Sequence, residues 1–314
     1  MKKILILGAL GQLGTELSLA LQEKYGIDNV ILADIKKPDQ PTFLFEEIDV
    51  LDEKNLEKIV QKHRIQIIYH LAAMLSANGE KNPLFCWQLN MQGFLNVLEV
   101  ARKNQVEQVI HPSSIAVFGP ETPKKKTPQE TIILPKTMYG ITKFSAELLA
   151  DYYVEKYGLD VRGVRYPGLI GYKSLPGGGT TDYAVAIFYE ALLHQKYTCF
   201  LKKDTILPMM YLPDAVKGTL KLAETPLKNL KHHSNFNFAA ISFSPEELAQ
   251  EIRKHIPNFE IIYEPDFRQD IADSWPSSID DTVAREEWHW EPEFNLEKMV
   301  IDMLKNLKIK LNIL

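Results

Sequence analysis

The chain has 314 residues, of which 45% are hydrophobic and 25% charged, and these values predict a globular protein with a large core and a smaller appended lobe. The net charge of -5 comes without long runs of one sign, which argues against a binder of the nucleic-acid backbone. Two cysteines without metal-ligand spacing, no apolar run of about 18 residues and no secretory h-region predict a cytoplasmic protein with no membrane span and no metal.

The first half of the chain alternates between short apolar runs and segments with helical periodicity. We expect strands at 3–7, 30–33, 66–70, 108–111 and 160–165, and helices after Gly14 and at 53–63, 82–103 and 139–156. Such alternation is typical of an α/β Rossmann-type fold, a doubly wound parallel sheet with helices on both faces. We therefore predict a nucleotide-binding domain at residues 1–166, with part of the later chain returning to it.

The alternation stops after Tyr166, where a proline and three glycines interrupt the pattern. Residues 167–314 are predicted to form a smaller α/β lobe that mainly binds substrate, with helices near 183–194, 213–223, 245–255 and 296–307. The polar tract 266–292 is expected to be rich in loops.

Gly8, Gly11 and Gly14 lie where the first predicted strand turns into the first helix. A turn without Cβ atoms lets backbone N–H groups approach a pyrophosphate at the N-terminus of a helix. This turn, including Gln12 and Leu13, is therefore predicted to bind a dinucleotide.

Asp34, followed by Ile35, ends the second predicted strand 20 residues after Gly14. Its carboxylate is placed to accept hydrogen bonds from the adenosine ribose and to repel a 2'-phosphate, so NAD is favoured over NADP as the cofactor. Asp49, expected at the end of a third strand beside Val50, is a candidate for the adenine amino group.

Tyr139 and Lys143 are four residues apart on a predicted helix, so both side chains lie on one face. We expect the ammonium to lower the pKa of the phenol, which would make Tyr139 a general base. Ser114 follows a predicted strand, at the sheet edge where ligands bind in open α/β folds, and its hydroxyl can position a substrate oxygen.

Together the glycine turn, the segments around residues 70–73, 90–93 and 112–119, and the Tyr139 to Lys143 spacing resemble the extended short-chain dehydrogenases/reductases. The resemblance implies that Tyr139 takes a hydroxyl proton, that Ser114 holds the oxygen, and that Lys143 tunes Tyr139 and binds the nicotinamide ribose. It also implies cofactor contacts from Leu71, Ala72, Ala73, Tyr166 and Pro167. For Asn90 a structural role and a cofactor contact are equally open.

Four further segments, at 113–119, 166–170, 175–184 and 273–276, resemble the short-chain L-threonine 3-dehydrogenase family. The resemblance implies NAD-dependent oxidation of the threonine 3-hydroxyl to 2-amino-3-oxobutyrate, which a partner enzyme can cleave. We predict that Ser76 and Thr180 bind the threonine carboxylate or ammonium, and that Gly178 contributes an N–H group. Thr180 could alternatively be only a helix N-cap. Trp275 could be a lid residue or a core anchor.

Two other functions compete with this interpretation. Many relatives act on nucleotide sugars, so a 4-epimerase or related sugar-nucleotide oxidoreductase is the first alternative, although Ile115 and Ala116 replace the acidic pair typical of dehydratases. A regulatory protein that only binds NAD is the second, but such proteins usually lack the tyrosine or the lysine. The resemblance also implies a homodimer formed through the helices near 82–105 and 138–157.

Overall fold

The computed structural model describes residues 2–39 and 43–313. The strands, in chain order, are β1 (Ile4–Leu7), β2 (Val30–Asp34), β3 (Phe45–Glu47), β4 (Ile67–His70), β5 (Gln108–Ile110), β6 (Ser113–Ser114), β7 (Asp160–Arg162), β8 (Val164–Tyr166), β9 (Gly168–Ile170), β10 (Lys196–Cys199), β11 (Leu207–Tyr211), β12 (Phe236–Asn237), β13 (Ile241–Phe243) and β14 (Glu260–Tyr263). The helices are α1 (Gln12–Tyr25), α2 (Glu53–His63), α3 (Ser76–Lys81), α4 (Pro83–Trp87), α5 (Gly93–Lys103), α6 (Met138–Tyr157), α7 (Tyr183–His194), α8 (Leu212–Glu224), α9 (Pro245–Arg253), α10 (Arg268–Ser274), α11 (Thr282–Trp288) and α12 (Leu296–Leu311).

A six-stranded parallel sheet in the order β3-β2-β1-β4-β5-β7 forms the centre of the first half. Alternate residues of β1 are buried on opposite faces of this sheet. Leu5 and Leu7 belong to the core cluster on the side of α2, α5 and α6, whereas Ile4 and Ile6 pack with residues of α1. The predicted doubly wound parallel sheet is therefore confirmed.

Three small sheets complete the architecture, in the orders β12-β8-β6, β13-β11-β9 and β10-β14. A core cluster that includes Phe188, Met209 and Met303 joins α7, β11 and α12 in the second half of the chain. Helix α8, although late in the sequence, packs on α1, and its Val216 belongs to the same core cluster as Leu17.

Several predicted elements differ from the observed ones. The helix expected at 82–103 is divided into α4, a π-helical turn (Gln88–Gln92) and α5, with the preceding α3 added. The strand expected at 160–165 breaks at Gly163, because β7 pairs with β5 whereas β8 pairs with β6 and β12. A Cβ at Gly163 would lie 2.3 Å from the His111 carbonyl oxygen. The tract 266–292 contains α10 and α11 and buries Trp288 and Trp290, so the expectation of a loop-rich tract is wrong.

Among residues 2–39 and 43–313, no helix has the length and apolar character needed to cross a membrane.

Candidate active site

A cleft of about 660 Å³ lies at the carboxyl ends of β1 and β4, beside β6 and β9. This is the edge at which open α/β sheets bind ligands. The cleft brings together the following predicted site residues: Gly8, Gly11, Gln12, Leu13, Gly14, Leu71, Ala73, Ser76, Ser114, Tyr139, Lys143, Tyr166, Pro167, Thr180 and Trp275.

The glycine turn is packed so closely that two of its positions leave no space for a side chain. A Cβ on Gly8, whose φ is +80°, would lie 2.6 Å from the Ala72 nitrogen, and a Cβ on Gly14 would lie 2.2 Å from the Gly8 carbonyl oxygen. Gly11 precedes the first residue of α1, so N–H groups of the first helical turn point out of the end of the helix. These residues fit the pyrophosphate of a dinucleotide, since the turn has backbone donors and no obstructing Cβ atoms.

Asp34 ends β2 beside this turn, and its carboxylate accepts the N–H groups of Leu10 at 2.9 Å and Ile35 at 2.8 Å. The side chain is only partly buried, which leaves it accessible to a ribose. Ile35 is exposed. Neither Asp34 nor Ile35 is among the residues that line the cleft, and Ala72 is not either, because it packs under Gly8.

Asp49 lies two residues beyond β3 rather than in a strand, because the strand ends at Glu47. Its carboxylate accepts the N–H of Leu51 at 2.9 Å, while Val50 is buried against Gly93. Asp49 and Val50 are not among the residues that line the cleft.

Asn90 is buried, and its carboxamide is engaged by protein groups. The side chain accepts the Met74 N–H at 2.8 Å and lies within hydrogen-bonding distance of the Met74 carbonyl, the Cys86 sulfur and the Thr142 hydroxyl. This geometry favours the structural role for Asn90, since it ties the segment after β4 to α6.

Ser114, Tyr139 and Lys143 meet at one side of the cleft. Helix α6 begins at Met138 because the Thr137 side chain caps it, and this places Tyr139 and Lys143 in its first two turns. The Lys143 ammonium donates to the Pro112 carbonyl at 2.7 Å and lies 5.7 Å from the centre of the Tyr139 ring. The Ser114 hydroxyl accepts the Ala116 N–H at 3.2 Å and lies close enough to Tyr139 to influence its pKa.

Burial controls the protonation of this group. It raises the pKa of Tyr139 to about 12, and the hydrogen bond with Ser114 only partly opposes it. It lowers the pKa of Lys143 to about 8, against the opposing influence of Cys86 and Glu147. The direction of the shift in the pKa of Tyr139 is opposite to the one expected from the neighbouring Lys143 ammonium, because desolvation is its largest cause.

Ser76 and Thr180 form a second polar pair on the cleft. Their hydroxyl oxygens are 3.1 Å apart, and the Thr180 N–H donates to the Ser76 oxygen at 3.3 Å. Helix α7 begins only at Tyr183, with Asp182 before it, so the alternative that Thr180 caps this helix is wrong. Both side chains are buried and line the cleft.

The glycine run, residues 177–179, donates N–H groups to a protein carboxylate rather than facing the cleft as a free anion site. Gly178 and Gly179 donate their N–H groups to the Asp182 carboxylate at 2.7 and 2.8 Å, so they are not free for a substrate carboxylate. Gly178 itself, with φ +92°, does not line the cleft, although Gly177 and Gly179 do. Asp182 was not predicted as this partner, although its position four residues after Gly178 and just before a helix is typical of a capping carboxylate.

Trp275 is 6% exposed and belongs to the core cluster of the second half, yet it also lines the cleft. Its carbonyl accepts from the Lys124 ammonium at 3.0 Å. The structure thus gives Trp275 the position of a core anchor whose ring also faces the substrate region.

Comparison with known proteins agrees with this geometry. The model of the NAD dependent epimerase/dehydratase family matches residues 4–239. The mitochondrial L-threonine 3-dehydrogenase of Bos taurus is 47% identical over 307 residues, which cover 96% of this chain and 82% of the bovine protein.

Two solved structures are similar over their whole length. The holo form of an L-threonine dehydrogenase from Cupriavidus necator is 51% identical, covers 98% of this chain and 100% of its own, and has a TM-score of 0.96. A monomeric L-threonine 3-dehydrogenase from a metagenome is 52% identical, with coverages of 98% and 99% and a TM-score of 0.96. The chain therefore belongs to the NAD-dependent epimerase/dehydratase family.

Proposed function

We propose that this protein oxidises the 3-hydroxyl group of L-threonine with NAD, producing 2-amino-3-oxobutyrate. The observation that carries the proposal is that one cleft contains both the Ser114, Tyr139 and Lys143 group and the buried Ser76 and Thr180 pair. The identities of 47–52% to threonine dehydrogenases support the same substrate.

Each residue of the first group has one task in this reaction. Ser114 donates a hydrogen bond to the substrate oxygen, and Tyr139, once ionised to the phenolate, accepts the hydroxyl proton as a carbonyl forms. Lys143, held by the Pro112 carbonyl, keeps a positive charge beside Tyr139 and offers its remaining donors to a ribose. When bound, NAD supplies the acceptor for the hydride that leaves the substrate carbon.

The Ser76 and Thr180 hydroxyls supply the polar contacts for the amino acid end of the substrate. Two hydroxyls can donate to a carboxylate or accept from an ammonium. Trp275, which is buried and lines the same cleft, adds an apolar surface to the substrate site.

For cofactor choice, we propose that Asp34 selects NAD by accepting hydrogen bonds from the adenosine ribose. We keep Asp49 and Val50 near the adenine as predictions, together with Leu71, Ala73, Tyr166 and Pro167 against the rest of the cofactor. We also propose residues 1–166 as the cofactor domain, with α8 added to it, and the remainder as the substrate lobe.

A nucleotide-sugar epimerase remains the alternative from the same family. The identities of 47–52% to threonine dehydrogenases favour the small substrate over a nucleotide sugar. The presence of both Tyr139 and Lys143 argues against a regulatory protein that only binds NAD.

The test is the absorbance of NADH after mixing the purified protein with NAD and L-threonine. Parallel reactions contain serine, other 3-hydroxy amino acids and UDP-sugars. NADH formation with threonine supports the proposal. Conversion of a UDP-sugar without any reaction of threonine would overturn it, and binding of NAD with no turnover of any compound would favour the regulatory protein.

We further propose a homodimer formed through α4 and α6. Leu84 and Trp87 on α4 and Leu148 and Tyr152 on α6 are 45–83% exposed, and Leu148 and Tyr152 lie one helical turn apart. Because a relative 52% identical is monomeric, light scattering on the native protein decides the question. A dimer that Leu148→Glu dissociates supports this interface, and a native monomer overturns it.

The cytoplasmic location and a partner enzyme that cleaves 2-amino-3-oxobutyrate stay predictions. The second follows from chemistry, since a 2-amino-3-oxo acid readily loses carbon dioxide unless it is consumed. An enzyme that transfers or releases its two-carbon acyl group is the class of partner expected.

A further inference from the structure

Beneath the active group, a buried carboxylate lies on the same helix face as Tyr139 and Lys143. Glu147 follows Lys143 by four residues and is 1% exposed. It accepts two hydrogen bonds from the Arg165 guanidinium, at 2.9 and 2.8 Å. It accepts a third, at 2.5 Å, from the hydroxyl of Ser113.

The strand register explains why these groups meet. Ser113 and Arg165 are paired across β6 and β8, and Ser114 is paired with Tyr166 next to them. Glu147 bonds to both members of the first pair, so it joins α6 to the two strands that carry site residues. The backbone of Ser114 therefore has one neighbour fixed directly by Glu147.

A buried ion pair is weak evidence for stability, since removing two charges from water costs about as much as their attraction returns. The Arg165 and Glu147 side chains are each 2% exposed. Because the pair is bonded to Ser113, which precedes Ser114, and Glu147 follows Lys143 by one helical turn, its location points to a role in the reaction.

Glu147 also affects the charge of Lys143. Its negative charge opposes the effect of burial, which lowers the pKa of Lys143. The other titratable groups around Lys143 are Tyr139 on its own helix, Cys86 on α4, and two buried histidines next to the sheet, His70 and His111. Around Glu147 they are Arg165, together with Asp151 and His233 beyond it.

We propose that Glu147 is a positioning residue for the reaction: through Ser113 it fixes the strand that presents Ser114, and it places a carboxylate one helical turn from Lys143 on the same face of α6. This inference rests on the proposed dehydrogenase function. The activity of the unmodified protein tests that function, whereas the comparison of variants with it tests the role of Glu147.

The experiment measures kcat and KM against pH for the unmodified protein, Glu147→Gln, Glu147→Asp and Asp151→Asn. Asp151 is the matched control, since it lies one turn further along α6 and bonds to Ser234 rather than to Ser113. We expect E147Q to lower kcat about tenfold or more, with little change in the KM for NAD. In the pH profile of kcat for E147Q, the decline at alkaline pH, where Lys143 loses its proton, should occur about one pH unit lower than in the unmodified protein.

E147D should recover part of kcat, and its decline at alkaline pH should lie close to that of the unmodified protein, because the negative charge is kept. D151N should match the unmodified protein in both kcat and pH profile. A folded E147Q with an unchanged pH profile and a kcat within twofold would overturn the proposal. If E147Q does not fold, the double variant E147Q/R165Q replaces it, since no unpaired buried charge is left. A lower pH for the alkaline decline in kcat of the double variant then supports the proposal, and an unchanged pH profile overturns it.

Discussion

Ser76 and Thr180 are separated by 104 positions in the chain, yet their hydroxyl oxygens lie 3.1 Å apart on the cleft. Ser76 is the first residue of α3, whereas Thr180 follows the glycine run that precedes α7. The pair therefore joins the two halves of the molecule at the point where the proposed substrate binds.

Thr180→Ala is expected to raise the KM for threonine about tenfold, because a hydrogen bond to a charged group is lost. The affinity for NAD should not change, since the pair lies away from the glycine turn. The measurement is steady-state kinetics with each substrate varied in turn. Thr198→Ala, on an exposed position of β10, is the control.

Ser76→Ala should have a similar effect, and the double variant should be less impaired than the product of the two single effects, because the two hydroxyls share one hydrogen bond. An unchanged KM in T180A would remove this pair from the substrate site.

Tyr139→Phe tests the base directly. We expect kcat to fall by about 10²- to 10⁴-fold, the usual contribution of general acid–base catalysis, while NAD still binds. Tyr152→Phe is the control, since Tyr152 lies on the same helix but is half exposed. Retention of more than a tenth of the activity in Y139F would show that another group takes the proton.

Much of this site could be predicted from sequence because its signals are local. The glycine turn, the helix 53–63 and the four-residue spacing of Tyr139 and Lys143 depend on neighbours in the chain, and the structure places each as expected. The family resemblance is also confirmed.

Several of the errors have their physical origin in contacts between distant segments. The strand breaks at Gly163 because β7 pairs with β5 and β8 pairs with β6 and β12, which are distant in the sequence. The raised pKa of Tyr139 follows from burial by several elements, which the spacing of two residues on one helix does not reveal. Glu147 was missed for the same reason, since only the register of β6 and β8 brings Arg165 and Ser113 to it.

Asp34→Ala is expected to raise the KM for NAD about tenfold and to narrow the preference over NADP, because the carboxylate that repels a 2'-phosphate is removed. The measurement compares kcat/KM for the two cofactors. Asp28→Ala is the control, since Asp28 is an exposed carboxylate at the opposite end of β2. An unchanged ratio of the kcat/KM values for NAD and NADP would show that another residue selects NAD.

Because His70 and His111 are buried, we expect acid to destabilise the protein. Their rings stack with that of Phe94, and burial lowers the pKa of His70 to about 3 and that of His111 well below its usual value. The unfolded chain takes up protons on both histidines below a pH of about 6.5, whereas the folded protein does not. The stability that each contributes is therefore complete above that pH and is lost as the pH falls towards the folded values.

The expected loss is about 2 kcal/mol per histidine between pH 7 and pH 5. Urea unfolding at both pH values measures it. His111→Phe keeps the ring stack but cannot titrate, so its free energy of unfolding should fall by about 2 kcal/mol less than that of the unmodified protein. His194→Asn, which replaces an exposed histidine, should leave the pH dependence as it is. Equal losses in H111F and the unmodified protein would mean that His111 takes up a proton in the folded state, and hence that the stack opens to water in acid.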